Sequence, residues 1–169
     1  GDKWNGNRKD CKAWLADRAI EGLTVITPAQ IEQIKGMVKS LAEEPIVQGG
    51  ILNGHVEVSL FWQDAETGIW LKSRPDNVPT SGSEASDLKC VGDISDDGIA
   101  RGLAAQGYHQ QAGLVREAFH EVWKFNLDHF TLVYVEQNRP NCVRFDEIAP
   151  EELDAGHREN HAALRLLKR

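Results

Sequence analysis

No stretch of the chain is apolar for long enough to cross a bilayer as a helix, and no charged-then-apolar leader of the signal-peptide kind opens it. Cysteine is scarce: Cys11, Cys90 and Cys142 are far apart, odd in number and without a C-x-x-C pair. A reduced, cytoplasmic setting is the plain reading of that pattern, and a four-cysteine iron–sulfur cluster is not expected. Positive charge is also in deficit. The 19 Lys and Arg against 26 Asp and Glu leave a net charge of −7, which argues against general adhesion to polyanions such as DNA. A metal site stays open, because such sites concentrate carboxylates. There is no initiator Met: Gly1-Asp2-Lys3-Trp4 reads as a cut end, a scar of expression or the start of the ordered part of a longer protein. Internal repeats, low-complexity tracts and linkers are absent, so the 169 residues are expected to form one domain, 1–169, with a real core.

What is there is a change of hydrophobic period along the chain. Asn7 to Glu21 reads as a helix with Trp14, Leu15 and Ile20 as its apolar contacts. Thr27-Pro28 is a helix start, and Ile31, Ile34, Val38 and Leu41 form a core-packing stripe as far as Glu44, where Pro45 stops it. From His55 the period becomes two. His55 to Trp62 reads as one strand, Asp64 to Gly68 as a turn and Ile69 to Asp76 as the return strand. Asn77 to Glu84 is a polar loop, and Ala85 to Cys90 a short central strand. Ser95 caps a helix to Ala105, Gly107 breaks it, and a longer helix runs from Tyr108 to Phe125. Strands at Phe130–Glu136 and Cys142–Phe145 flank the turn Asn138-Arg139-Pro140, and Pro150 opens a helix to the end. The order predicts an α/β (α+β) fold, a central mixed β-sheet flanked by helices.

The densest chemistry lies in Arg74-Pro75-Asp76 and Ser86-Asp87-Leu88-Lys89-Cys90, a P-D followed by D-x-K. Alternation along a strand puts Asp87 and Lys89 on one face, roughly 7 Å apart, with Leu88 turned into the core. Two carboxylates that share a divalent metal, with a lysine beside them, suit metal-assisted hydrolysis of a phosphodiester. D-x-K alone reads more plainly as an exposed salt-bridged face, and Asp76 as a turn cap. The P-D at this spacing, after a strand hairpin, turns the reading toward function.

Other residues are candidates with ordinary alternatives beside them. Glu57 on the hairpin's first strand is either a further metal ligand or a solvated strand position. Tyr108 and Gln111 open a helix after the D-x-K strand, where Gln111 would bond a phosphate or orient a water; the alternative is a polar helix face. Arg74 and Lys72 would meet DNA phosphate or are surface charge. Trp62 and Trp70 read as packing residues, and His55 as structural or exposed.

Taken in order, Glu57-Val58-Ser59-Leu60-Phe61-Trp62, Glu66-Thr67-Gly68, Arg74-Pro75-Asp76, Asp87-Leu88-Lys89, Gly107-Tyr108-His109 and Gln111-Ala112 resemble the C-terminal nuclease domain of RecE, exodeoxyribonuclease VIII, from about Asn7 onward. The resemblance implies a restriction-endonuclease-like PD-(D/E)XK fold and Mg²⁺-dependent (or Mn²⁺-dependent) digestion of linear double-stranded DNA ends, 5′ to 3′. It implies a RecT-type single-strand annealing protein as partner, a ring-shaped homo-oligomer, and a bacterial or phage-infected cytoplasm. On that pattern Asp76 and Asp87 fall on the metal-binding carboxylates, Lys89 on the catalytic lysine and Gln111 on the glutamine of a Q-x-x-x-Y motif. Two departures stand out. The motif's tyrosine falls on Val115, and an upstream helix with a histidine near the metal has no counterpart, so the chain reads as a fragment lacking it.

The expected mechanism places Mg²⁺ among Asp76, Asp87 and the backbone carbonyl of Leu88, with Lys89 positioning the attacking water or stabilising the pentacovalent charge. A non-catalytic DNA- or protein-binding module of the same fold is the alternative from another class. An endonuclease or junction resolvase keeps the chemistry and changes the substrate.

Overall fold

Among the described residues, side-chain caps mark the helix starts at Thr27 and Ser95. The structure is a computed structural model that describes residues 4–80 and 83–168. The chain divides into two compact units, Gly1–Lys35 and Gly36–Arg169. The first holds α1 (Lys9–Ile20) and the start of α2 (Pro28–Glu43). Gln30 N–H donates to Thr27 Oγ1 (3.2 Å) while Thr27 N–H donates to Gln30 Oε1 (2.8 Å), a reciprocal cap that satisfies donors at the helix start. The Trp4 and Trp14 rings meet edge-on at 5.5 Å, with the Arg18 guanidinium over Trp14. Of the apolar contacts expected on α1, Leu15 is half-buried, whereas Trp14 and Ile20 are exposed.

The second unit continues α2 and adds α3 (Pro45–Gln48), β1 (His55–Val56), β2 (Leu60–Gln63), β3 (Trp70–Ser73) and β4 (Asn77–Val78). It then runs through β5 (Glu84–Val91), α4 (Asp96–Gln106), α5 (Tyr108–Trp123), β6 (His129–Glu136), β7 (Val143–Glu147) and α6 (Pro150–Leu167). The architecture is mixed α/β, but among the described residues the strands form three small ladders rather than one central sheet: β1 with β4, β2 with β3, and β5-β6-β7. In the last, β5 and β6 are parallel and β7 is antiparallel to β6. A parallel pair needs a long crossover, and α4 and α5 supply it.

Three expectations are corrected here. The strand from His55 to Trp62 is broken, because Glu57 takes a left-handed φ of 57° and the chain changes partner after it. The polar loop from Asn77 contributes β4, which pairs with β1 (Ser81 and Gly82 lie outside the described residues). The D-x-K strand β5 is an edge of its ladder, and β6 is central.

β6 is buried on both faces, which is why it is an almost unbroken apolar run. Phe130, Leu132 and Tyr134 pack with Ala112, Val115 and Phe119 of α5 and Leu153 of α6. Val133 and Val135 face Leu41 and Met37 of α2 with Val143 and Phe145. Within this unit the inward face of α2 is therefore Met37 and Leu41, and Val38 is 58% exposed; in the first unit Ile31 and Ile34 are exposed as well. Of the four-residue stripe read from sequence, Leu41 is buried as expected, and Ile31, Ile34 and Val38 are exposed. Gly36 packs against Asn141, where a Cβ would sit 2.6 Å from the side-chain oxygen. Trp62 is buried as expected, while Trp70 is 69% exposed.

α5 and α6 cross closely through two glycines. A Cβ on Gly113 would lie 2.7 Å from His157 N, and one on Gly156 would enter the His109 carbonyl. Glycine is what lets the two backbones approach.

Candidate active site

β5 carries the D-x-K residues past the first turn of α5. In the parallel register Asp87 lies beside Leu132 and Lys89 beside Tyr134, the face covered by α5, while Leu88 lies beside Val133 on the other. Both faces of β5 are thus covered, and Asp87 is fully buried. Its carboxylate is ion-paired with Lys89 Nζ. Gln111 ties the two together: its Nε2 donates to Asp87 Oδ1 (2.8 Å), and its Oε1 accepts from Lys89 Nζ (3.0 Å). The Lys89 ammonium also sits 4.8 Å from the centre of the Tyr108 ring, a cation–π contact. Tyr108 and Gln111 reach the site because Gly107, at φ 62°, ends α4 and starts α5 without an intervening loop.

Asp76 enters from the segment between β3 and β4. Its Oδ2 accepts the backbone N–H of Leu88 at 3.0 Å. In a strand the N–H and C=O of one residue point to the same edge, so the Leu88 carbonyl faces the Asp76 side and not β6. Burial pushes the Asp87 carboxyl above the usual carboxylate range, against the pull of Lys89, and the nearby Asp76 charge adds to the rise. The polar contact of Asp87 Oδ2 is the Lys89 ammonium. Two carboxylates, a strand-edge carbonyl and one ammonium carry a net negative charge and oxygen-only donors. That set fits a hard divalent cation such as Mg²⁺.

Other sequence candidates lie elsewhere. Glu57 is off-strand and exposed, and its carboxylate pairs with Arg74 Nε at 2.7 Å. Its backbone N–H approaches the Asp76 carbonyl (3.3 Å), but its side chain is turned to Arg74. Lys72 lies 5.5 Å from the centre of the Phe61 ring, and His55 is exposed. Val115, at the position of the motif tyrosine, is core.

No protein-family model and no curated protein matches the chain. Among solved structures, that of a "putative exonuclease" from Eubacterium rectale superimposes with a TM-score of 0.69 at 16% identity, over 94% of this chain and 61% of that one. The chain spans about three fifths of that protein. The likeness is one of fold: the two share a mixed α/β architecture. The structure of SSO0001 gives a TM-score of 0.48 at 15% identity, over 96% of this chain and 88% of that one.

Two features of the second unit escaped the sequence. Tyr134 places a buried hydroxyl without a hydrogen-bond partner on the site face of β6, its ring 6.5 Å from that of Tyr108. Burial raises its phenol well above the ordinary value. The parallel partner of Lys89 cannot be read from a single strand. Away from this face, Glu117, His157 and His161 converge where α5 meets α6. The i, i+4 spacing of the two histidines on the last helix was the available signal.

Proposed function

We propose that the chain is a divalent-metal-dependent DNA exonuclease domain of the PD-(D/E)XK type, acting on linear duplex ends. The observation that carries this reading is the Asp76–Asp87–Lys89 cluster with Gln111 bridging Lys89 and Asp87. The resemblance of the ordered motifs to the RecE nuclease domain is what supports the finer reading of 5′ to 3′ digestion, a RecT-type annealing partner and a ring-shaped homo-oligomer. The solved exonuclease-like neighbour is consistent with it at the level of fold.

In this reading Asp76, Asp87 and the Leu88 carbonyl hold Mg²⁺ or Mn²⁺. A cation held there would supply Lewis acidity to the scissile phosphate and lower the pKa of a water. Lys89, held beside Asp87 and Gln111, would orient the nucleophile or meet the charge that develops on phosphorus. Gln111 fixes the lysine's direction, and Tyr108 supports it from below. Arg74 contacts a flanking phosphate by exchanging its exposed partner Glu57 for the DNA backbone.

A second reading, a binding module with the same fold, draws on the Lys89–Asp87 ion pair and on the net charge of −7. Incubation with end-labelled linear duplex and with a covalently closed circle, in Mg²⁺ and in EDTA, separates the readings. The exonuclease predicts metal-dependent nucleotide release from the linear DNA alone. Cutting of the closed circle would make it an endonuclease, and retention of DNA without cleavage would make it a binding module.

A further inference from the structure

Glu117 is half-buried, yet it receives three polar groups. Its Oε1 accepts Trp62 Nε1–H at 3.0 Å. Its Oε2 meets two imidazoles at once, His161 Nε2 at 3.0 Å and His157 Nδ1 at 3.2 Å. The two rings lie 4.3 Å apart between centroids, and all three donor atoms fall within 4.8 Å of one another. A tetrahedral ion about 2.0–2.1 Å from its nitrogen and oxygen ligands has donor–donor edges of about 3.3 Å. The two Glu117–imidazole distances are already close to that edge.

The surroundings hold the three donors in place. Trp62 occupies one oxygen of Glu117 and leaves the other for a single bond to an ion. On the far side of the His161 ring, Nδ1 faces Asp64 Oδ1 at 3.6 Å. Asp64 is 5% exposed and is fixed by the backbone N–H and hydroxyl of Thr67 on its other oxygen. A carboxylate behind a metal-binding histidine sets the tautomer, with the proton on the nitrogen away from the ion. The Gly113–Gly156 crossing brings α5 and α6 near enough for the cluster to form.

We propose that Glu117, His157 and His161 form a binding site for a transition-metal ion of the zinc class, with Asp64 and Trp62 as its supporting residues. Two imidazoles and one carboxylate suit zinc, cobalt or nickel far better than Mg²⁺. The site borders a cleft of about 650 Å³, lined in part by Arg116, His120, Asn126 and Asp128, so a fourth coordination position opens to solvent. On binding, His157 Nδ1 and His161 Nε2 must both be free of protons. Any proton lost from an imidazolium goes to solvent, and His161 keeps its proton on Nδ1, toward Asp64. The site is independent of the Asp76–Asp87 cluster and does not rest on the nuclease reading.

The test is a titration of the full chain with Co²⁺ followed by visible absorption, then displacement by Zn²⁺. The proposal expects one equivalent of Co²⁺ with the intense bands of a tetrahedral or five-coordinate ion, bleached by Zn²⁺. The signal should persist in Asp76→Asn/Asp87→Asn. Affinity should fall at least about 100-fold in His157→Ala/His161→Ala and about tenfold in Asp64→Asn. Glu117→Gln, close in shape to the original, should also lose the signal while keeping the circular-dichroism spectrum, which separates loss of a ligand from loss of fold. No bands in the wild type would overturn the proposal and leave a hydrogen-bonded His–Glu cluster. So would bands that survive His157→Ala/His161→Ala.

Discussion

At the Asp76–Asp87–Lys89 cluster the donors are oxygens, with an ammonium beside them, held at a sheet edge and bridged by Gln111. At Glu117–His157–His161 they are two imidazoles and a carboxylate, held at a glycine-tight helix crossing. The first arises mainly from a short stretch of chain, with a helix start laid over it. The second needs residues from β2, the following turn, α5 and α6, joined only by tertiary packing. Charge decides what each would attract. Oxygen donors with a net negative charge suit a hard cation, and imidazoles suit a softer one.

The largest effect that would break this comparison is at the first cluster. Asp87→Asn should lower Mg²⁺-dependent cleavage at least about 100-fold, since a metal's charge stabilisation is worth several kcal/mol. Unchanged Mg²⁺ binding by calorimetry in that variant would remove Asp87 from the ligand set. Next in size is the scaffold of the second cluster. Gly156→Val should cost about 1–3 kcal/mol in chemical denaturation, because the new side chain meets the His109 carbonyl. A wild-type midpoint would mean the helices can part there at little expense.

A smaller effect follows from the raised Asp87 carboxyl. A carboxyl whose folded pKa exceeds its unfolded one favours the fold at low pH, and that contribution is lost as pH rises through the folded value. In metal-free buffer Asp87→Asn, which cannot ionise, should therefore gain stability relative to wild type as pH climbs above the ordinary aspartate value of about 4. A difference in Tm that does not vary with pH would contradict the assignment. Smallest of all, Glu57→Gln should shift stability by less than about 1 kcal/mol, as expected for an exposed ion pair. A large loss of Mg²⁺ affinity in that variant would instead bring Glu57 into the metal site.

What could be read from the chain beforehand follows the range of the forces involved. Thr27 with Gln30, Ser95 with the Gly98 N–H, and left-handed Gly107 are local devices, and each sits where composition puts it. The D-x-K alternation is equally local, so the shared face of Asp87 and Lys89 was legible. Glu57 was not, because its left-handed backbone interrupts an alternating pattern that reads as one continuous strand. On α2 Leu41 was legible as an inward residue, whereas Val38 is exposed and Met37 packs inward, because strand contacts that are distant in sequence choose the buried face. Burial of Asp87 required β6 and α5 to be in place. So did the orphaned Tyr134 hydroxyl, which only the parallel register sets beside Lys89.

Lys89 gives the most direct test of the nuclease reading, because it can be removed without removing a proposed metal ligand. Nucleotide release from linear duplex should be compared between wild type and Lys89→Ala at saturating Mg²⁺, with Mg²⁺ binding measured on both. The account predicts that Lys89→Ala binds Mg²⁺ about as well as wild type and loses cleavage by at least about 100-fold. Robust digestion by Lys89→Ala would contradict it.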